Sequence, residues 1–287
     1  MTQVTNPTTP ASSLPGGGGG GSTVIGVTGA NRLNGSGGDD IILTFGAADV
    51  VAAGGGNDLV ISGGGNDSIG GGDGNDTIFS GSGADVVAGG TGDDRIFAGK
   101  GDDLVDGGDG NDLVSGDNGN DTVLGGSGSD TVFGGRGNDV VSGGDGNDSL
   151  YGGKDNDTVD GGSGNDFISG DRGSDVLTGG SGSDTFYFFS SGGDYGVDTI
   201  TDFTPGEDKI RLQTSGGGVF SALGNGLDAS EFVVVSGFNG TATPGTANKL
   251  VYDPQNGVLY FNGGSGVLTI AQLQPGLTIT TNNFELF

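Results

Sequence analysis

The sequence contains no cysteine, no histidine and no tryptophan among its 287 residues. Without cysteine and histidine there can be no disulfides, no thiolate or imidazole metal ligands, and neither Ser-His-Asp nor Cys-His catalysis. Any metal site must therefore be built from oxygen ligands, and such sites favour Ca²⁺ over Zn²⁺ or Cu²⁺.

Basic residues are scarce, with nine against 37 acidic ones and a net charge of -28. Such an excess makes the metal-free chain repel itself and stay expanded, so that it needs cations. Nucleic acid and acidic membrane surfaces are not expected as partners, because both require Lys and Arg clusters that the sequence lacks.

Long hydrophobic runs are also missing. No stretch approaches the ~18 apolar residues of a membrane span. The first residues lack the basic start and apolar stretch of a cleaved signal peptide, so export would need another address. A chain with 70 glycines and 31% hydrophobic residues is not expected to form an ordinary globular core. Whether its glycines recur at a fixed period therefore decides between a repeat protein and a disordered chain.

What the sequence does have is a nine-residue repeat from residue 35 to residue 187. Most units read Gly-Gly-x-Gly-x-Asp-x-apolar-x, and the apolar residue follows every aspartate by two positions. We expect each aspartate of the repeat to be a metal ligand. These aspartates are Asp40, Asp49, Asp58, Asp67, Asp76, Asp85, Asp94, Asp103, Asp112, Asp121, Asp130, Asp139, Asp148, Asp157, Asp166, Asp175 and Asp184.

Each half of the unit has a separate structural task. Glycines suit a tight turn, and the last three residues suit a short strand with its middle side chain inward. Two units would make one coil of 18 residues, and coils would stack at about 4.8 Å by parallel pairing. Aspartates 18 residues apart, with turn carbonyls, would then hold up to about 15 Ca²⁺ ions. Burial of one aliphatic residue per unit cannot offset the conformational entropy that is lost when the whole unit becomes ordered. Folding should therefore require the ion.

Three units depart from the pattern. Ala47 and Asp155 stand at the fourth position of their units, where glycine is usual, so these two turns are expected to be looser or empty. Residues 26–34 form a degenerate unit with Asn31 in the aspartate place, and we interpret it as a terminal cap. A disordered Gly/Asp linker is the alternative, but disorder gives no reason for an aliphatic residue at every ninth position.

The unit is identified as the calcium-binding nonapeptide of the RTX (repeats-in-toxin) family. The resemblance implies an all-β fold, a right-handed parallel β-roll, with Ca²⁺ bound in the Gly-Gly-x-Gly-x-Asp turns. It divides the chain into a disordered segment 1–25, a calcium-binding roll 26–187 and a C-terminal region 188–287.

Aromatic residues concentrate after the array, which allows a small β-rich cap. Residues 231–238, 249–253 and 257–263 are predicted strands, with a turn at residues 253–257. Residues 185–212 and the ending Glu285-Leu286-Phe287 resemble the export region of RTX proteins, which a type I secretion ABC transporter reads. The resemblance also suggests a final calcium ligand at Asp202 or Asp198.

One outer face of the roll is predicted to carry an aromatic ladder that includes Phe79, Phe97 and Phe133. Stacking between coils is one explanation, and contact with the C-terminal region, a second copy or a cell surface is the other. We expect a secreted, non-enzymatic calcium-binding matrix or surface-layer protein. Alternatives are a fibre-forming or adhesive subunit and the RTX part of a secreted hydrolase, although no catalytic motif is present.

Overall fold

The computed structural model describes residues 3–4, 20–189, 196–213, 220, 223, 227, 230–238, 248–263 and 267–287. Regular structure in these residues is all β apart from a 3-10 turn at Thr281–Asn283. The predicted all-β fold, a parallel β-solenoid, is confirmed. The chain divides into two compact units, Met1–Leu150 and Tyr151–Phe287.

The first unit consists of short strands at a regular spacing, and β16 (Ser149–Lys154) includes residues of both units. Its other strands are β1 (Gln3–Val4), β2 (Thr23–Ile25), β3 (Arg32–Asn34), β4 (Ile41–Leu43), β5 (Val50–Gly55), β6 (Leu59–Gly64), β7 (Ser68–Asp73), β8 (Thr77–Ser82), β9 (Val86–Thr91), β10 (Arg95–Lys100), β11 (Leu104–Asp109), β12 (Leu113–Asn118), β13 (Thr122–Ser127), β14 (Thr131–Arg136) and β15 (Val140–Asp145).

Alternate strands of this unit belong to two different sheets. The even-numbered strands from β2 to β14 form the first sheet, and the odd-numbered strands from β3 to β15 form the second. Each is parallel to its neighbours with an offset of 18 residues, as in Val105 opposite Val87 and Val123. The predicted coil of two nonapeptides is therefore confirmed.

Most strands are twice as long as the expected three residues, and that expectation was wrong. In β11 the pairing continues beyond Asp106 to Gly108 opposite Gly90 and Asp109 opposite Thr91. The strand therefore takes in the first three residues of the next unit. Glycine allows this because it has no side chain to obstruct the neighbouring coil.

Glycines at the second and fourth positions adopt backbone angles that other residues avoid. Gly108 has φ of 111° and Gly110 has φ of 142°, and a Cβ at Gly110 would lie against the carbonyl of Gly92. Ala47 and Asp155 adopt the same left-handed region, with φ of 73° and 77°. These two turns keep the shape of the others at a cost of about 1–2 kcal/mol each.

A column of aliphatic side chains fills the interior, as predicted. The residue two positions after each aspartate is buried throughout the array, and Val105, Val114 and Val123 are fully enclosed. The first residue of each unit also points inward and is small, as Gly107 is in β11. Each unit therefore contributes only one aliphatic and one small residue to the interior, which makes the core thin.

The second unit contains both parallel and antiparallel strand pairs. Strands β19, β20, β21 and β22 pair in parallel, whereas β24, β25 and β26 form an antiparallel meander. Strand β26 pairs with β21, and β27 pairs with β22. The strands are β17 (Thr158–Ser163), β18 (Phe167–Arg172), β19 (Val176–Ser181), β20 (Thr185–Phe188), β21 (Asp198–Ile200), β22 (Lys209–Leu212), β23 (Phe232–Val234), β24 (Lys249–Asp253), β25 (Val258–Asn262), β26 (Val267–Gln272) and β27 (Phe284–Leu286).

The C-terminal strands and turn agree with the sequence. β23, β24 and β25 lie within the predicted segments, and residues 254–257 form the predicted turn. Phe238 packs there on Tyr260 and Val251, with ring centroids of the aromatic pair 4.9 Å apart. A small conventional core therefore exists in this region, as the concentration of aromatic residues suggested.

The expected disordered segment 1–25 lies largely outside the described residues. Its end does not, because Thr23–Ile25 forms β2 and pairs with β4. The roll therefore begins before residue 26, since Val24 adds another inward aliphatic residue to the column. No helix in the described part of the chain is long and apolar enough to cross a membrane.

Candidate metal centre

Every aspartate of the repeat is buried at a turn, and those of one edge are linked coil to coil. The backbone N–H of Asp76 donates to Oδ1 of Asp94 over 2.7 Å, and the N–H of Asp94 donates likewise to Asp112. In the first unit the first edge is the series of turns, one per coil, that starts with the turn of Asp40. The second edge is the series that starts with the turn of Asp49. We call each such column an aspartate ladder.

The second carboxylate oxygen, Oδ2, lacks a hydrogen-bond partner in many of these residues although it is buried. A buried oxygen without a partner costs about 1–3 kcal/mol, and more when it carries charge. This applies to Asp49, Asp58, Asp76, Asp85, Asp94, Asp103, Asp112, Asp121, Asp130 and Asp175. The metal-free roll therefore contains a row of unsatisfied anionic oxygens.

The protonation of these carboxyls reflects the same burial. Removal from water, together with the charge of neighbouring carboxylates, raises the pKa of Asp94 and of Asp121 to about 7, although the backbone N–H that each carboxylate accepts lowers it. Burial raises the pKa of Asp58, Asp103 and Asp130 to about 6. Each ladder therefore needs a counter-charge, which either a proton or a metal ion can supply.

Asn31 shows which atoms surround the side chain at the aspartate position of a turn. Its Nδ2 lies 2.9 Å from the carbonyl oxygen of Val27, 2.6 Å from that of Gly29 and 2.7 Å from Oδ1 of Asp49. These are the second and fourth carbonyls of its own turn and the carboxylate of the next coil. In this turn three oxygens converge on one amide NH2 group, which shares its two hydrogens among them.

In an ordinary turn an oxygen replaces that amide nitrogen. By the register of the repeat, the carboxylate of Asp76 takes the place of the Asn31 side-chain amide, and the carbonyls of Gly72 and Gly74 correspond to those of Val27 and Gly29. Oxygens that converge without a hydrogen between them repel each other unless a cation lies among them. The arrangement therefore fits a cation between adjacent coils.

The chemistry of the donors suits Ca²⁺. Carboxylate and carbonyl oxygens are its usual ligands, and it takes about six to eight of them. Across the described residues, no three His, Cys, Asp or Glu side chains come together, so carboxylates alone cannot complete a site. Two ladder carboxylates and carbonyls from two turns would hold the ion, which balances their charge.

Uncharged donors satisfy the ladders at their N-terminal ends. Ser22 and Ser36 donate through their hydroxyl and backbone N–H groups to Asp40, and these bonds lower the pKa of Asp40 even though burial opposes them. Together with Asn31, Ser22 and Ser36 thus supply uncharged donors at the start of both edges. Further along the second edge, the Ser62 hydroxyl donates to Oδ2 of Asp67.

The structure extends both ladders beyond the nonapeptides. The N–H of Asp175 donates to Asp198, and that of Asp184 donates to Asp208, each over 3.0 Å. Asp202 lies elsewhere, since its carboxylate accepts the N–H groups of Gly179 and Gly180.

Of the two late aspartates considered in the sequence, only Asp198 therefore stands on a ladder, and Asp208 was missed. Ile200 and Ile210 follow Asp198 and Asp208 by two positions, so the repeat's own spacing could have identified both. Insertions that lengthen the coil beyond 18 residues hid this signal.

Two members of the predicted aromatic ladder stack on the first sheet. The rings of Phe79 and Phe97 stack with centroids 5.2 Å apart and planes at 10°. Phe79 remains 40% exposed, and Ile41 and Ile61 are exposed on the same sheet. Both explanations therefore retain support, because the rings stack and part of the face is still open.

In the second unit the C-terminus contacts this kind of ladder. The ring of Tyr187 packs on Phe167 at 5.3 Å and on Phe287 at 5.5 Å. Arg211 lies over the ring of Phe287, 4.3 Å from its centroid. Contact with the C-terminal region, one of the predicted alternatives, therefore occurs at Tyr187.

A family model described as the RTX calcium-binding nonapeptide repeat matches residues 16–44, 43–78, 53–87, 79–114, 88–123, 115–150, 124–159, 133–168 and 160–188. These matches run without a gap over more than half of the chain. No curated protein matches the chain.

Two solved structures show similarity. One is the AlgE6R3 subunit of the mannuronan C5-epimerase from Azotobacter vinelandii, with 22% identity, a TM-score of 0.28, and coverage of 60% of this chain and 77% of that one. The other is the extracellular lipase LipA from Serratia marcescens, with 18% identity, a TM-score of 0.20, and coverage of 90% of this chain and 40% of the lipase. The chain thus spans less than half of the lipase.

Proposed function

This chain belongs to the RTX calcium-binding nonapeptide repeat family, and we propose that it is a secreted, non-enzymatic protein whose roll folds when extracellular Ca²⁺ fills its turns. The unpartnered Oδ2 atoms of the aspartate ladders carry this proposal. They make the folded, metal-free state unfavourable, and they do so in nearly every coil of the first unit.

The proposed mechanism is a folding switch. Where Ca²⁺ is scarce, mutual repulsion and the orphaned oxygens keep the chain unfolded and therefore transportable. At the millimolar concentrations to which weak extracellular sites are tuned, ions bind only the folded state and stabilise it by mass action. A matrix or surface-layer role follows from a stable extracellular roll with no catalytic motif.

The decisive test combines calcium titration with circular dichroism. The purified chain should be unordered in excess chelator and gain strand signal cooperatively as Ca²⁺ is added, whereas Mg²⁺ at the same concentration should not replace it. Isothermal titration on the same sample would count the ions against the proposed maximum of about 15. A roll that is already strand-rich in chelator would refute the switch.

We further propose that residues 188–287 both cap the roll and address the chain to a type I secretion ABC transporter. Support comes from the resemblance of the ending Glu285-Leu286-Phe287 and from the pairing of β27 with β22. Export of the full chain should be compared with that of a chain without residues 188–287 in a host carrying the transporter. Equal amounts outside the cells would contradict this role.

Self-association or surface attachment through the first sheet is a second candidate function. The exposed side chains of Ile41, Ile61 and Phe79 support it, because apolar side chains that cluster on a surface tend to be used. Alanine at Phe79, Phe97 and Phe133 should leave the calcium-induced dichroism intact while it abolishes the association. Sedimentation in Ca²⁺ would detect the loss of association in the alanine variant. If the variant sediments like the unsubstituted protein, the aromatic ladder serves only for stacking between coils.

A further inference from the structure

The two sheets of the first unit have outer faces that carry very little charge, although the whole chain has a net charge of -28. The seventh and ninth positions of each unit form two outward rows on each sheet. Along the described even-numbered strands β4 to β14, Arg95 is the single charged residue in these rows. Along the described odd-numbered strands β5 to β15, the single charged residue is Asp106. Both are exposed, and their charges have opposite signs.

These two charges stand at the same level of the roll. Strands β10 and β11, which carry Arg95 and Asp106, follow each other in one coil. Copies placed side by side in the same orientation would therefore bring Arg95 of one copy opposite Asp106 of the next. Pairing of like faces at this level would instead oppose two arginines or two aspartates. Charge thus favours contact between unlike faces.

The margins of the first face are mixed in sign. Hydrogen bonds from Asn111 lower the pKa of Asp93 at the adjoining edge turn, and the charge of Arg95 adds a smaller effect in the same direction. At the other margin Asp117 stands in the coil next to that of Lys100. Arg95 therefore has acidic neighbours in its own copy, but the two outward rows keep the charge of Arg95 alone.

The first face carries a raised row of large apolar side chains. Ile61, Phe79 and Phe97 lie in register at the ninth positions of β6, β8 and β10. The rings of Phe79 and Phe97 stack on each other, and Ile61 and Phe79 remain exposed. We call these three residues the apolar ridge. A partner surface with room at the same levels would cover it.

The second face has such room at Gly70. This residue lies in register between Ala52 and Ala88, at the ninth positions of β5, β7 and β9. A Cβ built on Gly70 would meet no atom within 4 Å, and its φ lies outside the left-handed region that favours glycine. The fold therefore does not require glycine here, and glycine in a strand often marks close approach by another surface. The hollow at Gly70 belongs to the same coil as Ile61 of the ridge.

The contact area is small but sufficient for specific association. Six strands at a spacing of about 4.8 Å, each about 20 Å long, give either face an area of about 580 Å². The two faces together would bury about 1,200 Å², which is the lower end for specific interfaces. Association through them is therefore expected to depend on protein concentration.

We propose that copies of this chain stack face to face in Ca²⁺, with the first sheet of one copy on the second sheet of the next. The proposal rests on the proposed function, because the faces exist only in the folded roll. The apolar ridge of one copy lies over the hollow at Gly70 of the next, and Arg95 lies opposite Asp106. Because the two contacting faces differ, every added copy leaves one face of each kind open, and the stack does not close.

The test uses the full chain loaded with Ca²⁺. Arg95→Glu and Asp106→Arg each oppose like charges when a variant meets itself, whereas a mixture of the two variants has opposite charges at every mixed contact. Gly70→Val fills the hollow. The matched control, Gly37→Val, adds the same side chain at an exposed glycine of an edge turn, where a Cβ also meets no atom within 4 Å. Sedimentation velocity over a range of protein concentrations measures association.

We expect the sedimentation coefficient of the unsubstituted chain to rise with concentration without reaching a limit. Arg95→Glu, Asp106→Arg and Gly70→Val should each raise the concentration needed for association at least about tenfold. The mixture of the two charge variants should restore association, and Gly37→Val should behave like the unsubstituted chain. Association that stops at a dimer, a mixture that associates no better than its components, or a folded Gly70→Val that associates like the control would each overturn the proposal.

Circular dichroism of the same samples separates this proposal from the proposed function. If the unsubstituted chain gains no strand signal in Ca²⁺, the folding switch fails and the faces are never formed. If the signal is normal and the chain stays monomeric at every concentration, only the stacking fails. If Gly70→Val loses the signal, the two charge variants and their mixture decide the outcome.

Discussion

Replacing Asp94 by asparagine should change stability in opposite directions with and without calcium. In the unsubstituted protein Oδ1 of Asp94 accepts the backbone N–H of Asp76 over 2.7 Å. The side-chain oxygen of asparagine can accept the same N–H. It replaces the unpartnered Oδ2 of Asp94 by an amide that can donate to the turn carbonyls and to Asp112, as Asn31 donates to Val27, Gly29 and Asp49.

The size of the effect follows from the atoms involved. In chelator, removal of one buried unsatisfied oxygen should stabilise the folded state by about 1–3 kcal/mol. In calcium, Asp94 faces Asp76 on one side and Asp112 on the other, so the variant should lose about two ions. The concentration of Ca²⁺ needed for folding should therefore rise.

The matched control is Asp93→Asn, which removes the same charge one residue away. Asp93 is exposed, and its carboxylate accepts the N–H of Asn111 instead of facing the ladder. Its substitution should shift neither measurement by more than about 0.5 kcal/mol. The comparison therefore separates the loss of a ladder oxygen from a general decrease in negative charge.

The assay needs two conditions. Folding in chelator is driven by trimethylamine oxide, which favours compact states, and its midpoint is read by circular dichroism. Folding without osmolyte is driven by Ca²⁺, with calorimetry on the same samples to count the ions. A variant that is destabilised in both conditions, or that keeps its full count of ions, would refute the reasoning about the second oxygen.

Three further predictions concern protons, the interior and the C-terminus. In chelator, lowering the pH should favour the roll, because burial raises the pKa of Asp94 to about 7. The stabilisation that protonated Asp94 gives the folded state is complete below the unfolded pKa of about 3.9 and is lost as the pH rises through 7. The free energy of unfolding should change by about 1.4 kcal/mol per pH unit for each proton bound on folding. A dichroism signal that weakens on acidification would contradict this. Val105→Ala should cost about 2 kcal/mol and raise the Ca²⁺ midpoint, whereas Leu104→Ala, at a side chain 45% exposed, should cost much less. Phe287→Ala should lower the stability of the second unit by about 1 kcal/mol in thermal unfolding, because it removes the ring contact with Tyr187 and the cation–π contact with Arg211; an unchanged melting temperature would show that these contacts contribute nothing.

The coil and its interior could be predicted because they depend only on periodicity. A fixed spacing of nine residues places Asp76 over Asp94 and Val105 beside Val123, and no other information is needed. The length of the strands could not be read in the same way. Glycine is usually a weak strand residue, and only the neighbouring coil makes Gly108 part of a ladder of hydrogen bonds.

The ends of the array were harder to predict than its middle. Asp198 and Asp208 take ladder positions after insertions of several residues, which remove the period but keep the pairing of an aspartate with an inward aliphatic residue.

The two kinds of ladder residue explain how the demand for calcium is distributed. Where Asn31 or a serine supplies a donor, the converging oxygens are satisfied by hydrogen bonds and the coil needs no ion at that place. Where Asp94 supplies a second oxygen, the same geometry is repulsive until a cation or a proton arrives. Backbone shape is common to both, so dependence on calcium is set by one atom per turn. The number of aspartates at the sixth position should then determine how steeply folding responds to Ca²⁺, and each asparagine placed there should make the response shallower.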